Sequence, residues 1–208
     1  MIDSLSASRL KKVFNRRIIF EEITFSVGPS QTLLITGRNG SGKSTLVKML
    51  CGLLTPTAGT IHFVRRGGRK VDRLASIGLV SPYLEMYDEF SAEENLTMAL
   101  SIRGLLPDRE QVEVLLENVG LHARRRDAVR AYSSGMKQRL KYAFALIHRP
   151  SILLLDEPMA NLDAQGIAMV RRIMEEHRRE GILAVATNDL TDVDQYEEQV
   201  NLDARAGV

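Results

Sequence analysis

The sequence predicts an α/β protein whose mostly parallel central sheet is covered by helices and interrupted by an all-helical insertion. Two observations predict this class. Towards both ends of the chain, short apolar runs alternate with segments whose apolar residues recur at helical spacing, an alternation typical of parallel sheets. Across residues 91–149 only the helical spacing is found. The length of 208 residues fits one domain, 1–208, because compact domains usually contain about 100–200 residues.

The first third of the chain is predicted to be rich in strands. Apolar and polar residues roughly alternate in its first two segments, and each later element is bounded by turn residues such as Gly28-Pro29-Ser30. The predicted elements are strands at 4–12, 18–27 and 32–36, a helix at 44–53, a strand at 60–64 and a hairpin tip at 65–69. The third strand therefore leads through a glycine-rich loop into the first helix.

The remaining elements continue the pattern. Pro107 and Gly120 separate the helical segments of the insertion, and the alternation of strand and helix returns after Pro150. The predicted helices are 92–102, 108–119, 135–147 and 164–180, and the predicted strands are 152–155, 182–187 and 199–202. The sequence therefore predicts a central sheet whose strands are separated along the chain by helices.

Composition excludes several classes of protein. The chain has 44% hydrophobic and 26% charged residues, and its longest apolar runs are far below the ~18–20 residues that cross a bilayer. No signal peptide is expected from its first residues. The one cysteine, Cys51, excludes an internal disulfide. The net charge of +2 does not indicate nucleic-acid binding, and the arginine clusters at 65–70, 124–126 and 171–179 favour solvated faces over a phosphate or partner surface.

A glycine-rich loop between the third strand and the first helix matches the phosphate-binding pattern G-x-x-x-x-G-K-[ST]. Its residues are Gly37, Arg38, Asn39, Gly40, Ser41, Gly42, Lys43, Ser44 and Thr45. The glycines let backbone N–H groups face an anion, and the helix N-terminus adds partial positive charge. Lys43 is expected to reach the β- and γ-phosphates of a nucleotide, and Ser44 to offer its hydroxyl to Mg²⁺.

Two adjacent carboxylates follow a strongly apolar strand. Asp156 and Glu157 come directly after the run Ile-Leu-Leu-Leu, at the strand end where ligands gather in open α/β sheets. Alone, such a pair more often marks a solvated boundary. Together with the phosphate loop, it predicts Asp156 as a Mg²⁺ group and Glu157 as the base that polarises an attacking water.

Four motifs together resemble the nucleotide-binding subunit of ABC transporters. They are the phosphate loop, the segment Tyr-Ser-Ser-Gly-Met-Lys-Gln-Arg at 132–139, Leu-Asp-Glu-Pro at 155–158 and Asn-Leu-Asp at 161–163. The motifs occur in the order and spacing of that family, and the resemblance covers nearly the whole chain. The resemblance implies the P-loop NTPase cassette, with an N-terminal antiparallel β subdomain and a helical subdomain at about 83–149 inserted in the core. It also implies ATP and Mg²⁺ as ligands.

The resemblance further implies a head-to-tail dimer that forms with ATP. In it, Ser133, Ser134 and Gly135 would face the γ-phosphate held by the opposite subunit, and Asp163 would lie at the seam. Phe14 matches the aromatic residue that stacks on adenine, with an ordinary core phenylalanine as the alternative. Residues 87–96 resemble the region that meets a separate transmembrane subunit, so we expect a cytoplasmic protein attached to the inner face of the membrane.

Three positions depart from the family pattern. Pro82 stands where a glutamine normally contacts Mg²⁺ and the attacking water, and proline has no side-chain donor or acceptor. Asn188 replaces a histidine that contacts the γ-phosphate, and an amide cannot become cationic. Ser134 replaces a glycine. Lys43, Asn188 and Glu157 are nevertheless the expected catalytic residues, and we expect hydrolysis that is retained but slow.

The leading functional hypothesis is therefore the ATPase subunit of an exporter. The short chain and its loop sequence resemble the subunit that serves haem export or cytochrome c maturation. Two alternatives remain open. One is a non-transport ABC ATPase that acts on ribosomes or DNA, although no basic arm supports it and no nucleic-acid partner is expected. The other is a module that binds ATP with little hydrolysis, which Pro82 and Asn188 favour.

Overall fold

A computed structural model describes residues 2–65 and 71–203 of the chain. Its eight strands form two sheets. The first is antiparallel and contains β1 (Ser4–Phe14), β2 (Arg17–Val27) and β4 (Ala58–Val64) in the order β2-β1-β4. A two-residue turn at Asn15 and Arg16 joins β1 to β2, and both residues have positive φ, as the tight hairpin turn requires. An antiparallel N-terminal sheet is thus confirmed.

The second sheet is parallel and has five strands. They are β3 (Thr32–Thr36), β5 (Ile77–Val80), β6 (Ile152–Asp156), β7 (Ile182–Thr187) and β8 (Glu198–Asn201), in the order β5-β6-β7-β3-β8. All four neighbouring pairs run parallel. Strands β3, β6 and β7 are buried along their whole length, which is why they appear in the sequence as continuous apolar runs.

Six α-helices accompany the strands in the described residues. They are α1 (Lys43–Leu50), α2 (Arg73–Ser76), α3 (Ala92–Ile102), α4 (Arg109–Asn118), α5 (Ser134–Leu146) and α6 (Ala164–Arg178). Helix α1 ends three residues before the predicted limit, because Gly52 has a positive φ of 79° and the chain turns there. The structure also contains the strand β5 and the short helix α2, which the sequence did not predict. The predicted hairpin tip at 65–69 falls largely outside the described residues.

The central sheet separates two hydrophobic cores. Successive side chains of a strand point to opposite faces, so Leu33 and Ile35 of β3 belong to one core and Leu34 to the other. The antiparallel sheet and α1 pack on the first face. Helices α3 to α6 contribute to the second core. Within the insertion, α5 packs against β5, and α3 and α4 pack against α5 and against each other.

Within 2–65 and 71–203, none of the helices combines the length and the apolar character that crossing a membrane requires.

Candidate functional site

The loop between β3 and α1 has a backbone that only glycine accommodates well. Gly37, Gly40 and Gly42 have φ values of 147°, 81° and 106°, and L residues rarely adopt such angles. A Cβ atom on Gly42 would lie 2.6 Å from Ile19 Cγ2, and one on Gly37 would lie 2.5 Å from Ser41 Oγ. The loop is consequently packed as well as tightly turned, and it has the conformation expected of a backbone anion nest.

Lys43 begins helix α1 with its side chain folded back over the loop. Its Nζ atom donates a hydrogen bond to the carbonyl oxygen of Gly37 at 2.7 Å and lies 3.2 Å from Glu157 Oε1. Only 6% of the residue is exposed. An ammonium group this buried needs a carboxylate partner, and the structure therefore joins the loop to the acidic end of β6.

Asp156 lies at the carboxyl end of β6 and is 1% exposed. Burial raises the pKa of its carboxyl group above the ordinary value, while interactions with the hydroxyls of Ser44 and Ser81 and the charges of Lys43 and Lys48 oppose the rise. The Ser81 hydroxyl lies 3.3 Å from Oδ2. The Oδ1 atom is buried and has no hydrogen-bond partner among the described residues, so one oxygen remains available for a ligand.

Glu157 adopts a strained backbone conformation beside this carboxylate. Its φ of 51° lies in the left-handed region, which costs an L residue about 1–2 kcal/mol. Its N–H donates to the carbonyl oxygen of Ala186 at 2.8 Å, which fixes the residue against the end of β7. The side chain is 29% exposed. In this conformation the Glu157 carboxylate lies beside Lys43 and is partly open to solvent.

The residues present fit a nucleotide with a divalent cation. The Ser41 hydroxyl, like Asp156 Oδ1, is buried and lacks a hydrogen-bond partner within the described part of the chain. In 2–65 and 71–203 no group of three or more His, Cys, Asp or Glu side chains is placed to hold a metal ion. Mg²⁺ usually takes one or two protein oxygens and completes its octahedron with phosphates and water. Ser44 and Asp156 would be those protein oxygens.

Phe14 ends β1 next to the hairpin turn and is 43% exposed, which excludes the alternative of a core phenylalanine. The ammonium of Lys12 lies 4.7 Å from the centre of its ring and donates a hydrogen bond to the carbonyl oxygen of Thr55 at 2.8 Å. One aromatic face thus lies against a fixed cation. An exposed aromatic ring at this edge is suited to stacking on a base, as the resemblance implies.

The segment at 133–135 lies at the N-terminus of α5. Ser133 caps the helix, since its hydroxyl accepts a hydrogen bond from the Met136 N–H at 3.2 Å. Asp163 caps α6 in the same way, accepting from the Gly166 N–H at 2.8 Å. Among the described residues, no hydrogen bond or ion pair joins 133–135 to the loop 37–45.

The three departures lie at exposed or terminal positions. Pro82 is exposed, and its carbonyl oxygen accepts a hydrogen bond from Lys141 Nζ at 3.3 Å. Asn188 is exposed directly after β7. Its neighbours are fixed, because the hydroxyl of Thr187 bonds the Asp192 carboxylate at 2.6 Å and accepts from the Asp189 N–H at 3.0 Å. Ser134 is the first residue of α5.

Sequence reasoning did not assign roles to Ser81, Lys141 and Arg139, although each contacts a candidate residue or its loop. Ser81 could have been found from the parallel register, since Val80 pairs with Leu155 and the next residues are therefore neighbours. The contacts of Lys141 and Arg139 join elements that are far apart in the sequence, and no local pattern indicates these contacts.

The fold and this site define a P-loop nucleotide-binding protein of the α/β class. Comparison with known proteins gives the family. The family model described as ABC transporter matches residues 20–160, and the chain belongs to the ABC transporter family as an ATP-binding subunit. ABC ATPases bind ATP, generally with Mg²⁺.

Three relatives illustrate the similarity. The uncharacterised ABC transporter ATP-binding protein YxlF of Bacillus subtilis is 37% identical over 94% of this chain, which spans 66% of that protein's length. The lantibiotic transport ATP-binding protein SrtF of Streptococcus pyogenes is 34% identical over 91% of this chain and 82% of its own. The cytochrome c biogenesis ATP-binding export protein CcmA of Nitrosococcus oceani is 36% identical over 83% and 79%.

A solved structure confirms the fold. The putative ABC transporter ATP-binding protein of Pyrococcus furiosus superposes with a TM-score of 0.83, covering 99% of this chain and 100% of the other at 22% identity.

Proposed function

We propose that this chain hydrolyses ATP and drives a separate transmembrane subunit, from the cytoplasmic face of the membrane, in a transporter of the exporter type. The observation that carries hydrolysis is the convergence of Lys43, Asp156 and Glu157 beside the glycine loop. Relatives named for lantibiotic transport and cytochrome c biogenesis support the exporter type. Haem export or cytochrome c maturation is the finer proposal within it.

Each residue of the site has its own role in nucleotide binding or hydrolysis. The loop N–H groups and Lys43 hold the phosphates, and Phe14 stacks on the base. Ser44 and Asp156 would hold Mg²⁺, which would neutralise phosphate charge. The Glu157 carboxylate orients the attacking water and accepts its proton. Because Lys43 Nζ lies 3.2 Å from Glu157 Oε1, the phosphates of a bound nucleotide would draw the ammonium towards themselves and release the carboxylate for this role.

The dimer completes the site. We propose that ATP brings two copies together head to tail, so that Ser133, Ser134 and Gly135 of one copy face the γ-phosphate bound by the other. The N-terminus of α5 then contributes its partial positive charge. The exposed position of Ser133 and Ser134 at the N-terminus of α5 supports an arrangement in trans.

A second candidate function is binding of ATP with little turnover. Pro82 and Asn188 favour it, because proline has no side-chain donor or acceptor and the Asn188 amide can donate a hydrogen bond but cannot become cationic as a histidine can. Losing one preorganised donor typically lowers a rate by about 10²–10³-fold. Glu157 and Lys43 are present, which is why hydrolysis is the preferred proposal.

Nucleotide binding and hydrolysis can be tested separately. Fluorescence titration with an ATP analogue should show at least ~10-fold weaker binding for Lys43→Met, because a buried phosphate-facing cation is removed. The matched control Lys11→Met removes a lysine that pairs with Glu21 on the first sheet and should bind as the parent does. Glu157→Gln should keep binding and lose about 10²-fold or more of single-turnover hydrolysis. An unchanged rate would mean that Glu157 is not the base.

The partner is tested by extraction of membranes in mild detergent. Recovery of the chain with one integral membrane protein supports the transporter proposal. Recovery with ribosomes or DNA and without a membrane protein would overturn it in favour of the non-transport class. ATP binding without phosphate release, even with the membrane protein present, would select the second candidate.

A further inference from the structure

Ser81 directly precedes the departure at Pro82. Ser81 follows β5, and Asp156 ends β6, in a register where Val80 lies opposite Leu155. The two side chains therefore sit next to one another at the carboxyl edge of the sheet. Ser81 is 4% exposed, and its Oγ lies 3.3 Å from Asp156 Oδ2. A buried hydroxyl thus faces the carboxylate that the proposed function assigns to the cation.

The hydrogen-bond pattern fixes the direction of this contact. The N–H of Tyr83 lies 3.4 Å from Ser81 Oγ, and because an amide N–H can only donate, the hydroxyl accepts there. Its single hydrogen is then free for Asp156 Oδ2. The Ser81 side chain therefore donates to the carboxylate, which is the interaction that orients a metal-binding carboxylate in many sites.

The backbone of Ser81 is also held in place. Its carbonyl oxygen accepts hydrogen bonds from the Leu84 N–H at 3.1 Å and from Lys141 Nζ at 3.2 Å. Lys141 comes from α5, so the helical insertion fixes the residue against the end of β5. A hydroxyl on a backbone with two such donors has little freedom to turn away from Asp156.

We propose that Ser81 is a positioning residue for the divalent cation, orienting the Asp156 carboxylate so that its unpartnered Oδ1 faces the ion beside Ser44. This inference rests on the proposed function. Pro82 supplies no side-chain oxygen at this edge of the site. The fixed Ser81 hydroxyl preserves the alignment of the protein oxygen that remains, without itself touching the ion or the water.

The test measures cation affinity rather than turnover. The purified full chain is loaded with a fluorescent ATP analogue in EDTA and titrated with Mg²⁺. Ser81→Ala should raise the Mg²⁺ concentration of half-saturation about 10-fold, in the range found when the group behind a metal ligand is removed. Binding of the analogue without the cation should stay unchanged. Mn²⁺ bound to the same complex should show an altered electron paramagnetic resonance spectrum in this variant.

A matched pair of variants separates the hydroxyl from its volume. Ser81→Thr keeps the hydroxyl and Ser81→Val replaces it with a methyl group of similar size. Threonine should bind Mg²⁺ more tightly than valine, and this comparison holds even where the added methyl group disturbs the buried site. Equal Mg²⁺ affinities of threonine and valine, or of alanine and serine, would overturn the inference.

Different results would overturn the role of Ser81 and the proposed function. A parent chain that binds the analogue and Mg²⁺ while every Ser81 variant does the same would overturn only the role of Ser81. A parent chain that binds no ATP analogue would overturn the proposed function and this inference with it.

Discussion

The Nη2 atom of Arg139 lies 2.8 Å from Asp163 Oδ1, and this ion pair joins α5 to the N-terminus of α6. Arg139 is in the segment at 132–139, and Asp163 ends the segment at 161–163. The same Oδ1 atom accepts from the Gly166 N–H. Arg139 and Asp163 are 24 positions apart in the chain, and their contact holds the two segments together at the surface proposed to meet a second copy.

Substitution of Asp163 tests the connection between α5 and α6. The Gly166 N–H, followed by Arg139, lowers the pKa of the Asp163 carboxyl. A lowered native pKa adds stability above the ordinary carboxyl pKa of about 3.9, and this stability is lost as the pH falls through the native value. Asp163→Ala should therefore reduce the melting temperature at pH 7 more than Asp163→Asn, since the amide oxygen can still cap α6.

Thermal melts between pH 7 and pH 3 check this prediction. The difference between the parent and Asp163→Asn should shrink as the pH falls below the ordinary carboxyl value, because the parent loses its charge there. Equal melting temperatures for alanine and asparagine at pH 7 would contradict a capping role.

Most of the sheet could be predicted from the sequence. The buried strands β3, β6 and β7 are apolar throughout, and such runs between helices indicate a parallel sheet without any knowledge of contacts. The strand β5 has only four residues and carries a glycine, which weakens its local signal. Its place in the sheet depends on packing, because a Cβ atom on Gly78 would lie 2.4 Å from the Ala145 carbonyl oxygen.

The candidate site, like the sheet, could be predicted from the sequence only in part. The loop 37–45 has a local pattern whose chemistry requires those residue types, so its lysine and serine could be named in advance. The contacts of Lys43 with Glu157 and of Ser81 with Asp156 join residues 114 and 75 positions apart in the chain. Those distances follow from the order of strands in the sheet, and periodicity along the chain does not contain that order.

The glycines of the loop differ in what they tolerate. Gly40 and Gly42 both have positive φ, but a Cβ atom on Gly40 meets nothing within 4 Å, whereas one on Gly42 would lie 2.6 Å from Ile19 Cγ2. Gly40→Ala should cost only the backbone strain of about 1–2 kcal/mol. Gly42→Ala should cost at least about 1 kcal/mol more, because Ile19 must also move. Urea unfolding of the two variants measures this difference, and equal losses would contradict the packing argument.

Asn188 tests whether the site is a weakened form of the family pattern. The residue is exposed between Thr187 and Asp189, whose backbone and side chains are hydrogen-bonded in place. A histidine there would meet little obstruction and could donate to the γ-phosphate as a cation. Asn188→His should therefore raise single-turnover hydrolysis by at least about 10-fold, a fraction of what one donor typically contributes.

The control for this variant is Asn188→Ala, which removes the amide without adding an imidazole. It should lower the rate if the amide contributes and leave it unchanged if it does not. A fall in rate for Asn188→His would show instead that the site is built around the asparagine.

His148 connects the helical layer to β5 and should make stability depend on pH. Its Nε2 atom lies 3.0 Å from the Ile77 carbonyl oxygen. Burial, with the charge of Arg103, lowers its pKa to about 4, although the bond to Ile77 opposes this. The unfolded chain takes up a proton near pH 6.5 and the native chain does so only near pH 4. The contribution of His148 to the free energy of unfolding should therefore be fully present above pH 6.5 and should decrease as the pH falls towards 4.

Urea unfolding at pH 7.5 and pH 5 measures that fall. His148→Gln keeps an N–H donor for Ile77 and removes the titrating ring, so the loss of stability between the two pH values should be smaller than in the parent. His62→Gln, at an exposed position of β4, is the matched control and should leave the loss as it was. His177, whose pKa burial also lowers, accounts for part of the loss that remains. A loss in His148→Gln as large as in the parent would mean that the buried imidazole is protonated in the native chain by pH 5.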